Sequence, residues 1–268
     1  MLRPRIIPCL LLHKGGLFKT RLFKEPKYVG DPINAVRIFN EKEADELMVL
    51  DIDATRNGAS PDFALITKLA AECRMPLCYG GGVTTAEQAA RLVDMGVEKV
   101  ALSAAAIARP EVLTEMAAAV GRQSVVAVLD VRKRSGFFSR GYEVCTHNAT
   151  IAHKLEPVVL AKQLQDAGAG EIVINSIDCD GMMQGYDLDL ASEVKRVLNV
   201  PLTILGGAGT LDDMNDLVRR LGVVGAAAGS LFVFKGKYRA VLINYPAPEK
   251  KIQMCRDALQ IEIRGSHV

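Results

Sequence analysis

The chain has 268 residues, 49% of them apolar, enough to bury one large core. Its 33 basic and 31 acidic residues are mixed along the sequence and leave a net charge of only +2, which argues against nucleic acid or an anionic membrane as the main partner. The six cysteines lack the paired spacing of a zinc site and no apolar run approaches ~18 residues, so reduced thiols, no membrane span and a cytoplasmic setting are expected.

Short apolar, β-rich runs recur eight times, at 5–12, 46–52, 76–79, 99–103, 124–131, 171–177, 201–205 and 223–228. Segments of helical periodicity lie between most of them, at 61–73, 85–95, 110–120, 157–167, 189–198 and 211–221, with glycines just past several helix ends. Such alternation predicts a parallel α/β sheet, either an open doubly wound one or a closed barrel. An internal repeat favours the barrel. Pro76-Leu77 followed by Gly80-Gly81-Gly82 returns as Pro201-Leu202 followed by Gly206-Gly207-Ala208-Gly209, and the offset of 125 positions also carries Glu46 onto Glu171 and Asp53 onto Asp178. The expected fold is a single (β/α)8 TIM barrel made of two repeated half-barrels. It spans 1–245, with a closing helix over 246–263 and an appended tail at 264–268.

In such a barrel the loops after the strands carry the chemistry. The two glycine loops, each beside a small hydroxyl residue that ends the next strand, Ser103 or Ser230 after Gly229, predict two cradles where backbone N–H groups meet a phosphate; a tight turn is the ordinary alternative. The basic stretch 13–31, with Lys14, Lys19, Arg21, Lys24 and Lys27, predicts a long loop that acts as a lid over an anionic substrate. A second long stretch, 132–156, carries Lys133, Arg134, Phe137, Phe138, Arg140 and His147, and its 141–145 run suggests a small hairpin. Asp130, ending an apolar strand inside the mouth, is the sharpest proton-transfer candidate. For Asp51, Asp53, Asp178 and Asp180 a structural carboxylate is an equal possibility, and neither His13 nor His147 has a visible partner. At the opposite end Arg5, Glu46, Lys99 and Glu171 open four strands. Spacing alone allows a salt-bridged ring there, but charged residues commonly open strands at the stability face.

The motifs Arg5-Ile6-Ile7-Pro8-Cys9-Leu10, Ala44-Asp45-Glu46-Leu47, Gly80-Gly81-Gly82-Val83, Gly168-Ala169-Gly170-Glu171-Ile172, Asp178-Cys179-Asp180-Gly181 and Gly206-Gly207-Ala208-Gly209 resemble the cyclase subunit of imidazole glycerol phosphate synthase over positions 3 to about 235. That resemblance implies a glutaminase docked at the N-terminal face of the barrel and ammonia passing through its centre. It makes Arg5, Glu46, Lys99 and Glu171 the gate of that passage, which reverses the reading from spacing alone. It implies Asp130 as a catalytic residue. For phosphate and substrate binding it implies Lys19, Gly81, Gly82, Ser103, Asp180, Gly206, Gly207, Gly229 and Ser230. Neither a metal nor an organic cofactor is called for.

Two departures matter. Leu11 stands where the family pairs a second catalytic aspartate with Asp130, and Ser103-Ala104 alters the first phosphate site. A lost acid beside a retained channel resembles the glycosyl amidation-associated subgroup, as do Leu12-His13-Lys14-Gly15-Gly16-Leu17 and Leu50-Asp51-Ile52-Asp53-Ala54-Thr55. This resemblance implies ammonia supply to a sugar-directed amidotransferase, which converts an acetamido group to an acetamidino group on a nucleotide-activated sugar for a surface polysaccharide such as O-antigen. The alternatives are an active cyclase subunit in histidine biosynthesis, or a non-catalytic scaffold that activates the glutaminase.

Overall fold

The computed structural model describes residues 3–134 and 141–265; the expectations placed on Phe137, Phe138, Arg140 and residues 266–268 lie outside them. In chain order the strands and helices are β1 (Arg5–His13), β2 (Gly16–Arg21), β3 (Lys24–Gly30), α1 (Pro32–Glu41), β4 (Leu47–Asp51), α2 (Phe63–Glu72), β5 (Leu77–Gly80), α3 (Ala86–Asp94), β6 (Lys99–Leu102), α4 (Ala104–Ala108), α5 (Glu111–Val120), β7 (Val125–Lys133), β8 (Tyr142–Thr146), β9 (Ile151–His153) and α6 (Pro157–Asp166). They continue with β10 (Glu171–Ser176), α7 (Leu188–Lys195), β11 (Leu202–Leu205), α8 (Leu211–Leu221), β12 (Gly225–Ala228), α9 (Ser230–Val233), β13 (Phe234–Lys235), β14 (Ala240–Val241) and α10 (Pro248–Gly265).

Eight of the strands pair in parallel, in the order β1-β4-β5-β6-β7-β10-β11-β12, and the pairing of β12 with β1 closes the circle. Closure removes the exposed sheet edges that an open sheet would have to protect. The fold is therefore the expected (β/α)8 barrel. Residues alternate along each strand. One set, including Ile6, Leu10, Leu47, Val49, Ile172 and Ile174, packs outward beneath the helices. The other, including Ile7, Cys9, Met48, Cys78, Val126, Val128 and Val173, fills the barrel's interior.

The two halves repeat in their caps as well as their glycines. Thr85 and Thr210, 125 positions apart, each begin a helix with a reciprocal capping box, closed by Gln88 and Asp213 respectively. Such a cap stabilises a helix start by about 1 kcal/mol and fixes where each helix begins after its glycine loop. The glycines themselves are required by geometry. Gly81 and Gly206 have φ of +126° and +94°, and a Cβ on Gly207, φ +117°, would stand 2.0 Å from the Gly185 carbonyl oxygen.

One expectation fails here. The stretch 13–31 is no open lid loop: β2 and β3 form an antiparallel hairpin continuing the sheet from β1. Buried Leu17 and Lys19 alternate with more exposed neighbours along β2, a period-2 pattern that the density of lysines obscured in the sequence. The 141–145 run does form a hairpin strand, β8, paired with β7 and β9. At the base, α10 lies beside α8, and Lys251 ties it to Asp45 at 3.1 Å. No described helix is long and apolar enough to cross a membrane.

Candidate functional site

The barrel interior divides into three levels because strand side chains face inward at every second residue. At the base, the first inward residues of β1, β6 and β10 are Arg5, Lys99 and Glu171, and Glu46 immediately precedes β4. The structure joins them in a closed ring. Arg5 bonds Glu46 and also Glu171 at 2.8 Å, while Lys99 Nζ reaches Glu46 at 2.8 Å and Glu171 at 2.9 Å. Thr203, the first inward side chain of β11, donates to Glu171 at 2.6 Å. Glu46 and Glu171 are 2% and 3% exposed. Carboxylates so deeply buried persist ionised only when paired. Burial pushes the Glu171 pKa up, but Arg5 and Lys99 outweigh it and hold the carboxyl well below its usual range.

Above the ring the lumen is apolar, lined by Ile7, Cys9, Met48, Cys78, Ala101, Val126, Val128, Val173 and Ala227, with Leu11 and Leu50 at its upper end. A packed apolar interior of this kind favours a neutral occupant over an ion.

The third level is the mouth, a cavity enclosing about 1190 Å³ including space open to solvent. It brings together most of the residues expected from the sequence: Lys19, Gly81, Ser103, Asp130, Asp180, Gly206, Gly207, Gly229 and Ser230 all line it. Gly82 does not. A Cβ there would meet the Ala59 carbonyl oxygen at 2.5 Å, so its φ of +71° serves packing against the loop after β4.

Followed in both directions round the barrel, the strand registers set Leu11 of β1 level with Asp130 of β7. One is a carboxyl and the other a hydrocarbon. Burial pushes the Asp130 pKa up to about 7, against the bond it accepts from Asn175 Nδ2 at 2.9 Å, and the nearby Asp180 charge adds to the rise. Lys19 crosses from the hairpin to bond the Cys9 carbonyl and lies against Gly229, where any Cβ would meet its ammonium at 2.3 Å. Burial lowers its pKa. Asp180 accepts from Thr20 Oγ1 at 2.8 Å and Phe23 N at 3.2 Å, which fastens the hairpin to the loop after β10. Burial raises its pKa as well.

The other carboxylates have structural partners. Asp51 caps the turn after β4 by accepting from Asp53 N and Ala54 N at 2.9 and 3.1 Å, and Asp178 accepts from Lys133 N at 2.7 Å. Asp53 accepts from Lys14 N and contacts His13 Nδ1, both at 2.8 Å, so His13 does have a partner. His147 also has one, Thr146 at 3.0 Å, and lines the mouth. Sequence reasoning missed Asn175 and Thr203. Asn175 ends an apolar strand as Asp130 does, and the same argument could have found it. Among the described residues no cluster of three His, Cys, Asp or Glu side chains is placed to hold a metal.

The family profile described as "Histidine biosynthesis protein" matches residues 5–239. A provisionally named imidazole glycerol phosphate synthase subunit hisF3 of Vibrio vulnificus is 58% identical over 251 residues, covering 94% of this chain and 96% of its own. A provisionally named subunit HisF of the same synthase from Leptospira interrogans is 54% identical, covering 94% and 98%. The imidazole glycerol phosphate synthase subunit HisF of Micrococcus luteus is 37% identical over 231 residues, covering 86% and 90%. With the closed barrel, these matches establish that the chain belongs to the histidine biosynthesis protein family, among its HisF-like subunits of imidazole glycerol phosphate synthase.

Proposed function

We propose that this protein is the ammonia-conducting subunit of a glutamine-dependent amidation system. A glutaminase docks at the N-terminal face, its ammonia passes the ring of Arg5, Glu46, Lys99 and Glu171 and the apolar lumen, and a separate amidotransferase uses it at the mouth. The acceptor is the acetamido group of a nucleotide-activated sugar. The observation that carries this reading is the contrast between the two ends: a complete charged ring at the base, and Leu11 facing Asp130 at the mouth. Leucine cannot transfer a proton, so a cyclisation that needs two carboxylates lacks one of them.

The test gives the chain a glutaminase and 15N-amide glutamine, and follows the label into the acceptor or into bulk ammonia. Lys99→Met is expected to divert most label to bulk while glutaminase binding survives. Unchanged transfer would refute the conduit. Purified protein supplied with the synthase's ribonucleotide substrate and ammonium is expected to be nearly inert.

A second reading, an active cyclase subunit in histidine biosynthesis, is favoured by Asp130 poised near pH 7 and by the names of the relatives. Rescue of a histidine auxotroph would select it. In either reading the two glycine loops, with Lys19 against Gly229, are the cradles for substrate phosphates.

A further inference from the structure

Where the lumen opens into the mouth, three polar side chains stand on three neighbouring strands: Ser103 just after β6, Asp130 on β7 and Asn175 on β10. Asn175 is 7% exposed, and its Nδ2 donates to Asp130 Oδ1 at 2.9 Å. Its carbonyl oxygen Oδ1 and the hydroxyl Oγ of Ser103 are both buried with no hydrogen-bond partner among the described residues. Buried acceptors are normally satisfied, and two unsatisfied ones lining the same cavity as a carboxyl mark a place for a donor. A small molecule with several hydrogen-bond donors fits this place, where apolar Leu11, Leu50, Val128 and Leu205 line the same opening.

We infer that Ser103, Asp130 and Asn175 form a holding site for ammonia, kept there as ammonium, at the exit of the lumen. This inference rests on the conduit reading above. It also gives Ser103 a role that the altered first phosphate cradle leaves open. Ammonia arrives neutral through the apolar lumen. The Asp130 carboxyl gives its proton to the nitrogen lone pair: the O–H bond breaks, an N–H bond forms, and an ammonium ion faces a carboxylate. Its N–H groups then donate to Asp130, Asn175 Oδ1 and Ser103 Oγ. Return of the proton to Asp130 regenerates the neutral nucleophile.

The carboxyl titrates near pH 7, so both directions are accessible. The charged and titratable groups around it are Asp180 after β10, Lys19 on β2, Cys9 on β1, Cys145 on β8, and His147 and Asp51 on the mouth wall. Asp180 favours the ammonium form.

The test uses the whole chain, 13C-labelled at aspartate carboxyls and 15N-labelled at asparagine amides, titrated with ammonium chloride against sodium chloride. Saturable shifts of the Asn175 amide with ammonium alone are expected, together with a fall in the Asp130 midpoint from about 7. Asn175→Leu and Ser103→Ala should each weaken apparent ammonium binding about tenfold, the effect of losing one hydrogen bond to a charged donor. Coincident titrations with the two salts, or both variants binding as the parent does, would overturn the site. A conduit failure is distinguishable from a site failure: ammonium binding with label transfer indifferent to Lys99 sinks only the conduit, whereas coincident titrations with Lys99-dependent transfer sink only the holding site.

Discussion

Substituting Asp130→Asn should stabilise the protein, and more so as pH rises. The carboxyl's pKa is 3.8 in an open chain and about 7 in the folded barrel, raised first by burial. The folded state therefore binds a proton more tightly than the unfolded state does. Stability is greatest below the unfolded pKa and falls as pH climbs through the folded one. A rise of that size corresponds to about 4 kcal/mol by pH 8. The carboxyl lines the open mouth cavity, and discounting for screening there leaves about 2 kcal/mol. Asparagine keeps an acceptor for Asn175 Nδ2 and has no charge to bury. Urea unfolding followed by circular dichroism at pH 5, 6, 7 and 8 reads the difference directly, with equal slopes confirming an unchanged unfolding reaction. The variant's advantage should grow by about 1 kcal/mol between pH 5 and 7 and then level off. A difference that is flat with pH, or that levels off near pH 5, would refute an elevated Asp130 and with it the proton exchange at the mouth.

Glu171→Gln should act in the opposite direction. Arg5 and Lys99 hold the Glu171 carboxyl below its ordinary value, so its contribution is present above the unfolded pKa and is lost as pH falls. The parent's stability should drop below pH 5 more steeply than the variant's, measured by thermal unfolding across pH 3–6. Gly207→Ala should cost more than about 2 kcal/mol, because a Cβ would stand 2.0 Å from the Gly185 carbonyl oxygen at a φ of +117°. A melting temperature within a degree or two of the parent would show that the loop gives way easily.

Features local in sequence were legible before the fold was known. Eight apolar runs, two glycine loops in one register and the Thr85 and Thr210 helix starts follow from neighbours a few residues apart. The charged ring was not, since Arg5, Glu46, Lys99 and Glu171 lie up to 166 positions apart and meet only through barrel closure. Spacing favoured ordinary strand ends, and the family resemblance reversed that. Asn175 escaped notice because its partner Asp130 is 45 residues away, on the neighbouring strand of the same half, and the two meet only when β7 and β10 pair. The β2–β3 hairpin was misread because its lysines suggest solvent, whereas Lys19 turns inward and is 5% exposed.

The repeat that relates Glu46 to Glu171 does not extend to the cations of the ring. Arg5 and Lys99 open β1 and β6, the first and fourth barrel strands of the N-terminal half, and the matching strands of the other half, β7 and β12, open with Val125 and Gly225. Both positive charges are therefore private to one half, while each half supplies one carboxylate. Two copies of the C-terminal half, assembled into a barrel, would face two buried glutamates with no counter-charge, and two copies of the N-terminal half would crowd four cations around two. The halves share a geometry but are not interchangeable, because a charge-balanced ring needs one of each.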